Sequence, residues 1–276
     1  MLIGHKTIIR DLKKLADVGD LAHGYVFCGP EMIGKRFTAE SLANFLETGS
    51  FELPKLLQDC LVIKPIGNTI GIDQVREIKN FLWQKPAISS RRTLILDDAH
   101  SMTAEAQNAL LKITEEPPAS SLILLVTSDP DALNPTVFSR LQKIYFSPVS
   151  ANELTRWVEE KFGNKKDVTA AVSKSLGRPG LICALLTDER FTESIVYAER
   201  LLQVPADKRR DLLKKMTDQE DFSFRKLLDT LIIISSWEFI EEKNVSFWHA
   251  LLRLRHDAAY FNLNPRLQIE SLFQGR

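Results

Sequence analysis

The sequence predicts an α/β domain, a parallel sheet flanked by helices, followed by regions that are wholly helical. Three observations carry this. Residues 94–118, LILDDAHSMTAEAQNALLKITEEPP, pass from branched apolar residues to two acids and then to a helical pattern. Upstream, residues 23–28 read as an apolar strand running into a glycine-bounded loop, Gly29-Pro30-Glu31-Met32-Ile33-Gly34-Lys35-Arg36. Beyond about residue 150 the strand-like runs stop and amphipathic stripes take over.

Taken in order, Ile8, Ile9, Leu12 and Leu15 mark a first amphipathic helix, and His23 to Cys28 the first strand. The loop that follows fits seven of the eight places of GxxxxGK[ST], with Arg36 in the eighth. Such a loop curls its N–H groups around phosphates, reaches them with its lysine, and binds magnesium through its hydroxyl. Lys35 is present. Arg36 has no lone pair to offer a cation. Met32 puts a side chain where φ > 0 is wanted and crowds the phosphate position. Gly29, Gly34 and Lys35 therefore read as a loop kept as architecture, with ATP binding weak or absent. Retained ATP binding without hydrolysis, through Lys35 and the helix N-terminus, is the competing reading.

Residues 37–45 continue the helix after the loop, residues 51–59 are irregular or helical, and Leu61-Val62-Ile63 form a short strand. A helix follows from about residue 70 to 84, with Asp73 as N-cap and Val75, Ile78, Leu82 and Trp83 facing inward, broken by Lys85-Pro86. Leu94-Ile95-Leu96 is a buried strand with Asp97 and Asp98 at its tip. Ligands gather at the carboxyl ends of strands in open α/β sheets, so acids there are placed to hold a metal ion and a water. Residues 103–115 form a helix with Ala106, Ala109, Leu110 and Ile113 on one stripe, capped by Ser101 or Thr103 and ended by Pro117-Pro118. Residues 121–126 are another buried strand, ending at Thr127.

Ser150-Ala151-Asn152-Glu153 is a capping box opening the first helix of the second part, with Leu154, Trp157 and Val158 as its apolar stripe and Gly163 at its end. A further helix spans about residues 167–176, and Gly177-Arg178-Pro179-Gly180 turns into a third. Pro205-Ala206-Asp207 suggests a break. Beyond it, residues 221–241 carry an apolar face of Leu227, Leu228, Leu231, Ile232 and Trp237, continued by Phe247, Leu251, Leu252 and Leu254.

Composition limits the partners. The 276 residues carry 36 basic and 36 acidic side chains, so no whole-chain basic footprint marks a principal nucleic-acid binder. No run approaches the roughly 20 apolar residues that span a bilayer, and the N-terminus has no signal-peptide h-region. The three cysteines, Cys28, Cys60 and Cys183, are isolated and read as reduced thiols in a cytoplasmic protein. With no CxxC pair, no zinc is expected, and no other metal.

The stretches Ala106-Gln107-Asn108-Ala109-Leu110-Leu111-Lys112 and Glu115-Glu116-Pro117-Pro118 resemble the AxNALLKxLEEPP text of the clamp-loader branch of the AAA+ ATPases. Gly4-His5, Ile70-Gly71-Ile72-Asp73-Gln74-Val75-Arg76, Leu133-Asn134-Pro135-Thr136-Val137-Phe138-Ser139-Arg140, the GRPG turn and the ending from Asn262 to Glu270 resemble further family segments. The resemblance implies an AAA+ domain over residues 1–149, a helical lid over 150–205 and a helical collar over 206–276 that joins five subunits. It implies that Thr127 stands at the sensor 1 position and that Arg140 is a finger entering a neighbour's ATP site. Such a finger can be worth about 10³ to 10⁵ in rate. The sensor 2 arginine is replaced by Gly180, and Arg178 could substitute only by a different approach. Asp97, Asp98 and Thr127 are then vestigial or structural. The implied role is a non-hydrolysing stator, with gamma/tau-type motor and delta subunits as partners in a heteropentamer, and the sliding clamp and primer–template DNA reached through it. No cofactor is required on this reading, ATP–Mg being doubtful. An ATP-hydrolysing motor subunit and a direct DNA-binding protein are the alternatives.

Overall fold

The computed structural model describes residues 3–52, 56–163, 166–218, 222–238, 245–261 and 263–274. These fall into two compact units, Met1–Ile182 and Cys183–Arg276. Boundaries were expected at 149/150 and 205/206; the boundary of compactness falls inside the expected lid.

The first unit opens with helix α1 (Lys6–Asp17), strand β1 (Gly24–Cys28) and helix α2 (Lys35–Thr48). There follow β2 (Cys60–Ile63), α3 (Ile72–Leu82), β3 (Arg92–Leu96), α4 (Ala104–Glu115), β4 (Ser121–Thr127), α5 (Pro135–Arg140) and β5 (Gln142–Tyr145). The sheet is parallel throughout, in the order β2-β3-β4-β1-β5. Every residue of β1 and β4 is buried, as expected of strands covered on both faces. Alternation along the strands divides the core. Val26, Leu94, Leu96, Ile123 and Leu125 pack with Ile78, Leu82, Leu110 and Ile113 of α3 and α4. Phe27, Ile95, Leu122, Leu124 and Val126 pack with Leu12, Ala39 and Leu42 of α1 and α2.

Thr103 caps α4, its hydroxyl accepting from the Ala106 N–H. The expected cap of α3 is corrected. Gly71 is the N-cap, its N–H held by the Gln74 side chain, while Asp73 lies in the first turn and pairs with Arg76 at 2.7 Å. Trp83 stands just past the end of α3 and is half exposed, whereas Val75, Ile78 and Leu82 are buried as expected. Strand β5 was not anticipated: Gln142-Lys143-Ile144-Tyr145 is a largely exposed edge strand without an apolar run.

At the N-terminal end of β2, the carboxylate of Asp59 has no exposed side-chain surface. It accepts from the N–H groups of Ala87, Ile88 and Ser89 at 2.7–3.0 Å, with Arg92 Nε 3.5 Å away. Burial alone would raise its pKa; these three N–H groups and Arg92 outweigh that and hold it below the usual carboxylate value.

Helices α6 (Ala151–Phe162) and α7 (Lys166–Lys174) and the start of α8 (Pro179–Thr187) complete this unit. Ser150 caps α6 by accepting from the Glu153 N–H, and Leu154, Trp157 and Val158 form its buried stripe. The second unit contains α9 (Glu189–Gln203), α10 (Ala206–Thr217), α11 (Phe224–Glu238), α12 (Val245–Tyr260) and α13 (Pro265–Gln274). Within it α11 packs against α9 and α12, and α13 against α10 and α12. Leu227, Leu228, Leu231, Phe247, Leu251 and Leu254 are buried as their pattern requires, whereas Ile232, Trp237 and Leu252 are half-buried. Residues 221, 239–241 and 262 of the expected helical text lie outside the described residues. Among the described residues, no helix is long and apolar enough to cross a membrane, and no cluster of His, Cys, Asp or Glu could hold a metal ion.

Candidate functional site

Because β3, β4 and β1 are adjacent and parallel, their carboxyl tips lie side by side. Cys28 is level with Thr127, and Leu96, just before Asp97, is level with Leu125. The glycine-bounded loop leaves β1 at this edge and ends where α2 begins. Gly29 cannot be replaced freely: an added Cβ would lie 2.5 Å from the Phe146 carbonyl oxygen. Gly34 caps α2 at φ 107°, and Met32 sits at φ 60°. The loop therefore keeps its left-handed curl at Met32 despite the side chain, and the expectation that Met32 would oppose that geometry is revised. Met is unbranched at Cβ, which limits the strain.

Lys35 does not extend outward. Its Nζ donates to the loop's own Gly29 and Pro30 carbonyls at 2.7 and 2.6 Å, and the residue is buried. Burial lowers its pKa, against the pull of Glu31, Asp98 and Asp97. Arg36, one residue on, donates from Nε to Glu40 at 2.8 Å and from Nη1 to Asp97 at 3.2 Å. Asp97, largely buried, has its pKa raised by desolvation and then by Asp98, with Arg36 and Lys64 opposing. Asp98 adopts φ 51°, and its carbonyl accepts from the Ser101 N–H and hydroxyl.

The start of α8 touches this loop directly. The Gly180 N–H donates to the Met32 carbonyl at 2.8 Å, and a Cβ at Gly180 would meet that oxygen at 2.8 Å and the Met32 Cβ at 3.0 Å. Close approach thus demands glycine where the family resemblance places the sensor 2 arginine. Arg178 is turned aside, its Nε donating to the Ser175 carbonyl at 3.2 Å, with its pKa lowered by burial against the pull of Glu31. His5 Nε2 lies 3.2 Å from the Ile33 carbonyl, so the N-terminal segment also rests on the loop. Thr127 donates its hydroxyl to the Asp129 carbonyl at 2.9 Å and stands 3.4 Å from His100 Nδ1.

A nucleotide with magnesium needs a reaching lysine, a free carboxylate and a hydroxyl at the start of α2. Here the lysine is turned back, the carboxylate faces a guanidinium, and no hydroxyl is supplied by residue 36. The residues present do not fit a magnesium–nucleotide complex.

Arg140 lies at the other end of the sheet. It closes α5 just before β5, whose first residue, Gln142, is level with Tyr25 near the start of β1. The three residues from that level to Cys28 span about 10 Å, so the side chain does not serve its own loop. Nη2 donates to Glu115 at 2.8 Å and Nη1 to the Thr136 carbonyl at 2.9 Å; the side chain keeps 34% of its surface exposed. Sequence reasoning did not single out Glu40, the pairing of Glu115 with Arg140 or the contact of Gly180 with Met32. Glu40 was findable, since Arg36 and Glu40 are four apart on a helix; the others meet only through the fold.

Strand order, the β1-loop-α2 unit and the acid-tipped β3 define an AAA+ protein of the clamp-loader type. The family profile described as DNA polymerase III, delta subunit, matches residues 4–150, more than half of the 276-residue chain, and the chain belongs to that family. Among similar proteins, the DNA polymerase III subunit delta' of Escherichia coli is 33% identical over 125 residues, 45% of this chain and 37% of the relative. That of Pseudomonas aeruginosa is 35% identical over 135 residues, 43% of this chain and 41% of the relative. The gamma/tau subunit of Mycobacterium tuberculosis is 29% identical over 154 residues, half of this chain but 27% of the relative. The chain thus spans less than half the length of these relatives. In structure, a DNA polymerase III gamma subunit-related protein of Thermotoga maritima shares 25% identity at TM-score 0.62, covering 95% of this chain and 97% of that one. The RuvB branch-migration motor of the same organism matches at TM-score 0.50 and 15% identity over 85% of this chain and 78% of that one, a likeness of fold.

Proposed function

We infer that this chain acts as the delta-prime-type stator of a bacterial clamp loader, lending Arg140 to the ATP site of a neighbouring gamma/tau-type motor subunit. The observation that carries the reading is the position of Arg140, partly exposed at the end of the sheet opposite its own loop. A guanidinium so placed is out of reach of its own loop; on this reading it meets phosphate in another subunit, where it would neutralise charge building on the transferring phosphoryl group. The chain's own loop contributes no chemistry: Lys35, Arg36 and Gly180 are engaged within the chain, which supports a subunit that does not hydrolyse ATP and needs no cofactor. On this reading, Asp97, Asp98 and Thr127 are vestigial or structural, the AAA+ domain, lid and collar run over 1–149, 150–205 and 206–276, and the setting is the cytoplasm. The partners are motor and delta subunits in a heteropentamer, with clamp and primer–template DNA met through the assembly.

The gamma/tau matches favour a second reading, an ATP-hydrolysing motor subunit. The test is Arg140→Ala in the reconstituted assembly. The expected outcome is unchanged assembly with loss of DNA- and clamp-stimulated ATPase at the site Arg140 serves, by about 10³-fold or more. Unchanged ATPase removes the finger. Saturable micromolar ATP binding by the isolated chain, abolished by Lys35→Ala, would favour the motor reading.

A further inference from the structure

The strand tip at Asp97 is surrounded by more charge than its own ion pair. The groups that interact electrostatically there and around Lys35 and Arg178 are Lys35, Arg36, Lys64 and Arg178 on one side and Glu31, Glu40, Asp97 and Asp98 on the other. Charges of both signs thus face one another at the tip. Arg36 is central there: its Nη1 is 3.2 Å from Asp97 and its Nε 2.8 Å from Glu40, whose side chains are only 16% and 19% exposed. Burial opposes the guanidinium's charge, and Glu40 and Asp97 more than offset this. Two carboxylates this poorly solvated require a cation, and the fold supplies one from the first turn of α2.

We propose that the Arg36 guanidinium is the resident cation of this site, a tethered replacement for the divalent ion, so that the strand tip is built to be metal-free. Arginine suits this role better than lysine: its planar fork holds two carboxylates in fixed directions and it stays charged at any pH the fold meets. The position that a hydroxyl and a hydrated cation would share is taken by one side chain, leaving nothing to be lost by chelation or dilution of metal. The inference concerns the chain's own ions and stands whether or not Arg140 serves a neighbour.

The consequence is that removing Arg36 converts the tip into an acidic site that a divalent ion can refill. The experiment follows thermal melting of the full-length chain, with and without millimolar Mg²⁺, against EDTA. The wild-type melting temperature is expected to ignore Mg²⁺. Arg36→Thr, which restores a hydroxyl, is expected to fall by about 2–6 °C in EDTA and to regain at least half of that in Mg²⁺. Asp97→Asn removes the carboxylate and should abolish the Mg²⁺ response in an Arg36→Thr/Asp97→Asn double variant, whose loss should be smaller than the sum of the single losses. A wild-type protein stabilised by Mg²⁺ through Asp97, or additive losses with no Mg²⁺ response in Arg36→Thr, would overturn the proposal. Should Arg36→Thr not fold, Arg36→Lys decides it: retained charge with partial stability and no Mg²⁺ response is expected, and a Mg²⁺ response there counts against it.

Discussion

The two ends of the sheet in the first unit treat charge in opposite ways. At the carboxyl tips of β1, β3 and β4, charged groups are engaged within the chain: Lys35 with carbonyls of its own loop, Arg36 with Asp97 and Glu40. At the other end, Arg140 stands on the surface with a half-exposed carboxylate, Glu115, as side-chain partner. The guanidiniums are alike in exposure, 40% for Arg36 and 34% for Arg140; what differs is the carboxylates, 16% and 19% exposed for Asp97 and Glu40 against 48% for Glu115. An ion pair with poorly solvated carboxylates needs nothing from outside. One held at the surface is weakly bound and free to be exchanged for a stronger anion. The first arrangement suits a part that supports; the second suits a part that is offered to a partner. The contrast also fits the proposed stator, which would keep the framework of a nucleotide site without using its own loop for chemistry.

The largest effect that could break this contrast is catalytic. In the reconstituted assembly, Arg140→Ala should cost the served site about 10³-fold or more, while Lys35→Ala should leave ATPase within about twofold, since Lys35 contacts only loop carbonyls. The reverse ranking in steady-state ATPase would mean the loop is the working end.

Next in size is a test of whether the end bearing Arg140 is exposed by neglect or by selection. Asp59 lies at that same amino end of the sheet, fully buried and bonded to three backbone N–H groups. Asp59→Asn puts an amide against donors that accept nothing, and should cost about 2–4 kcal/mol in denaturant unfolding. The pH dependence follows from the depressed carboxyl. Its ionised form stabilises the fold above the ordinary carboxylate range, and that contribution disappears as pH falls through the folded pKa. The gap between the two proteins should therefore narrow on acidification. A constant gap from neutral to acidic pH would show that the charge of Asp59 is not what the N–H groups hold.

Smaller again is the contact between the start of α8 and the loop. Gly180→Ala places a Cβ 2.8 Å from the Met32 carbonyl, backbone that can yield only by lifting the turn before α8 from the loop. The expected cost is about 1–3 kcal/mol, even though alanine is the better helix former. A variant as stable as the parent would mean that the turn does not bear on the loop, and that glycine there is not required by packing.

Much of this was legible in the sequence, and the reasons are physical. Fully buried parallel strands leave continuous apolar runs, so β1, β3 and β4 were evident from Val26-Phe27, Leu94-Ile95-Leu96 and residues 121–126. Strand β5 was not, because an edge strand with exposed Gln142, Lys143 and Tyr145 has no such run. The loop's substitutions at Met32 and Arg36 were visible as departures from a pattern, but not what they do. Arg36 meets Asp97 across 61 residues, and Met32 meets Gly180 only once α8 is packed against the loop. Periodicity put Val75, Ile78 and Leu82 inward correctly and carried Trp83 with them, since a stripe does not show where its helix ends. The α3 cap was missed for a related reason: Gly71 carries no side chain to announce it, and the bond comes from Gln74.

The smallest expected effect falls on Glu115. Its bond to Arg140 is short, 2.8 Å, but both side chains are exposed to solvent, 34% for Arg140 and 48% for Glu115. Surface pairs of this kind contribute about 0–1 kcal/mol, so Glu115→Ala should be nearly silent in thermal melting. Its interest lies in the assembly. If Glu115 only steadies the finger between encounters, Glu115→Ala should leave the ATPase maximum almost intact and Arg140 should remain needed in its background. If instead the pair must break before Arg140 can meet phosphate, Glu115→Ala should raise the stimulated rate at low ATP. A large loss of stability on Glu115→Ala would contradict both, because it would mean that this end of the sheet is as inwardly bound as the other.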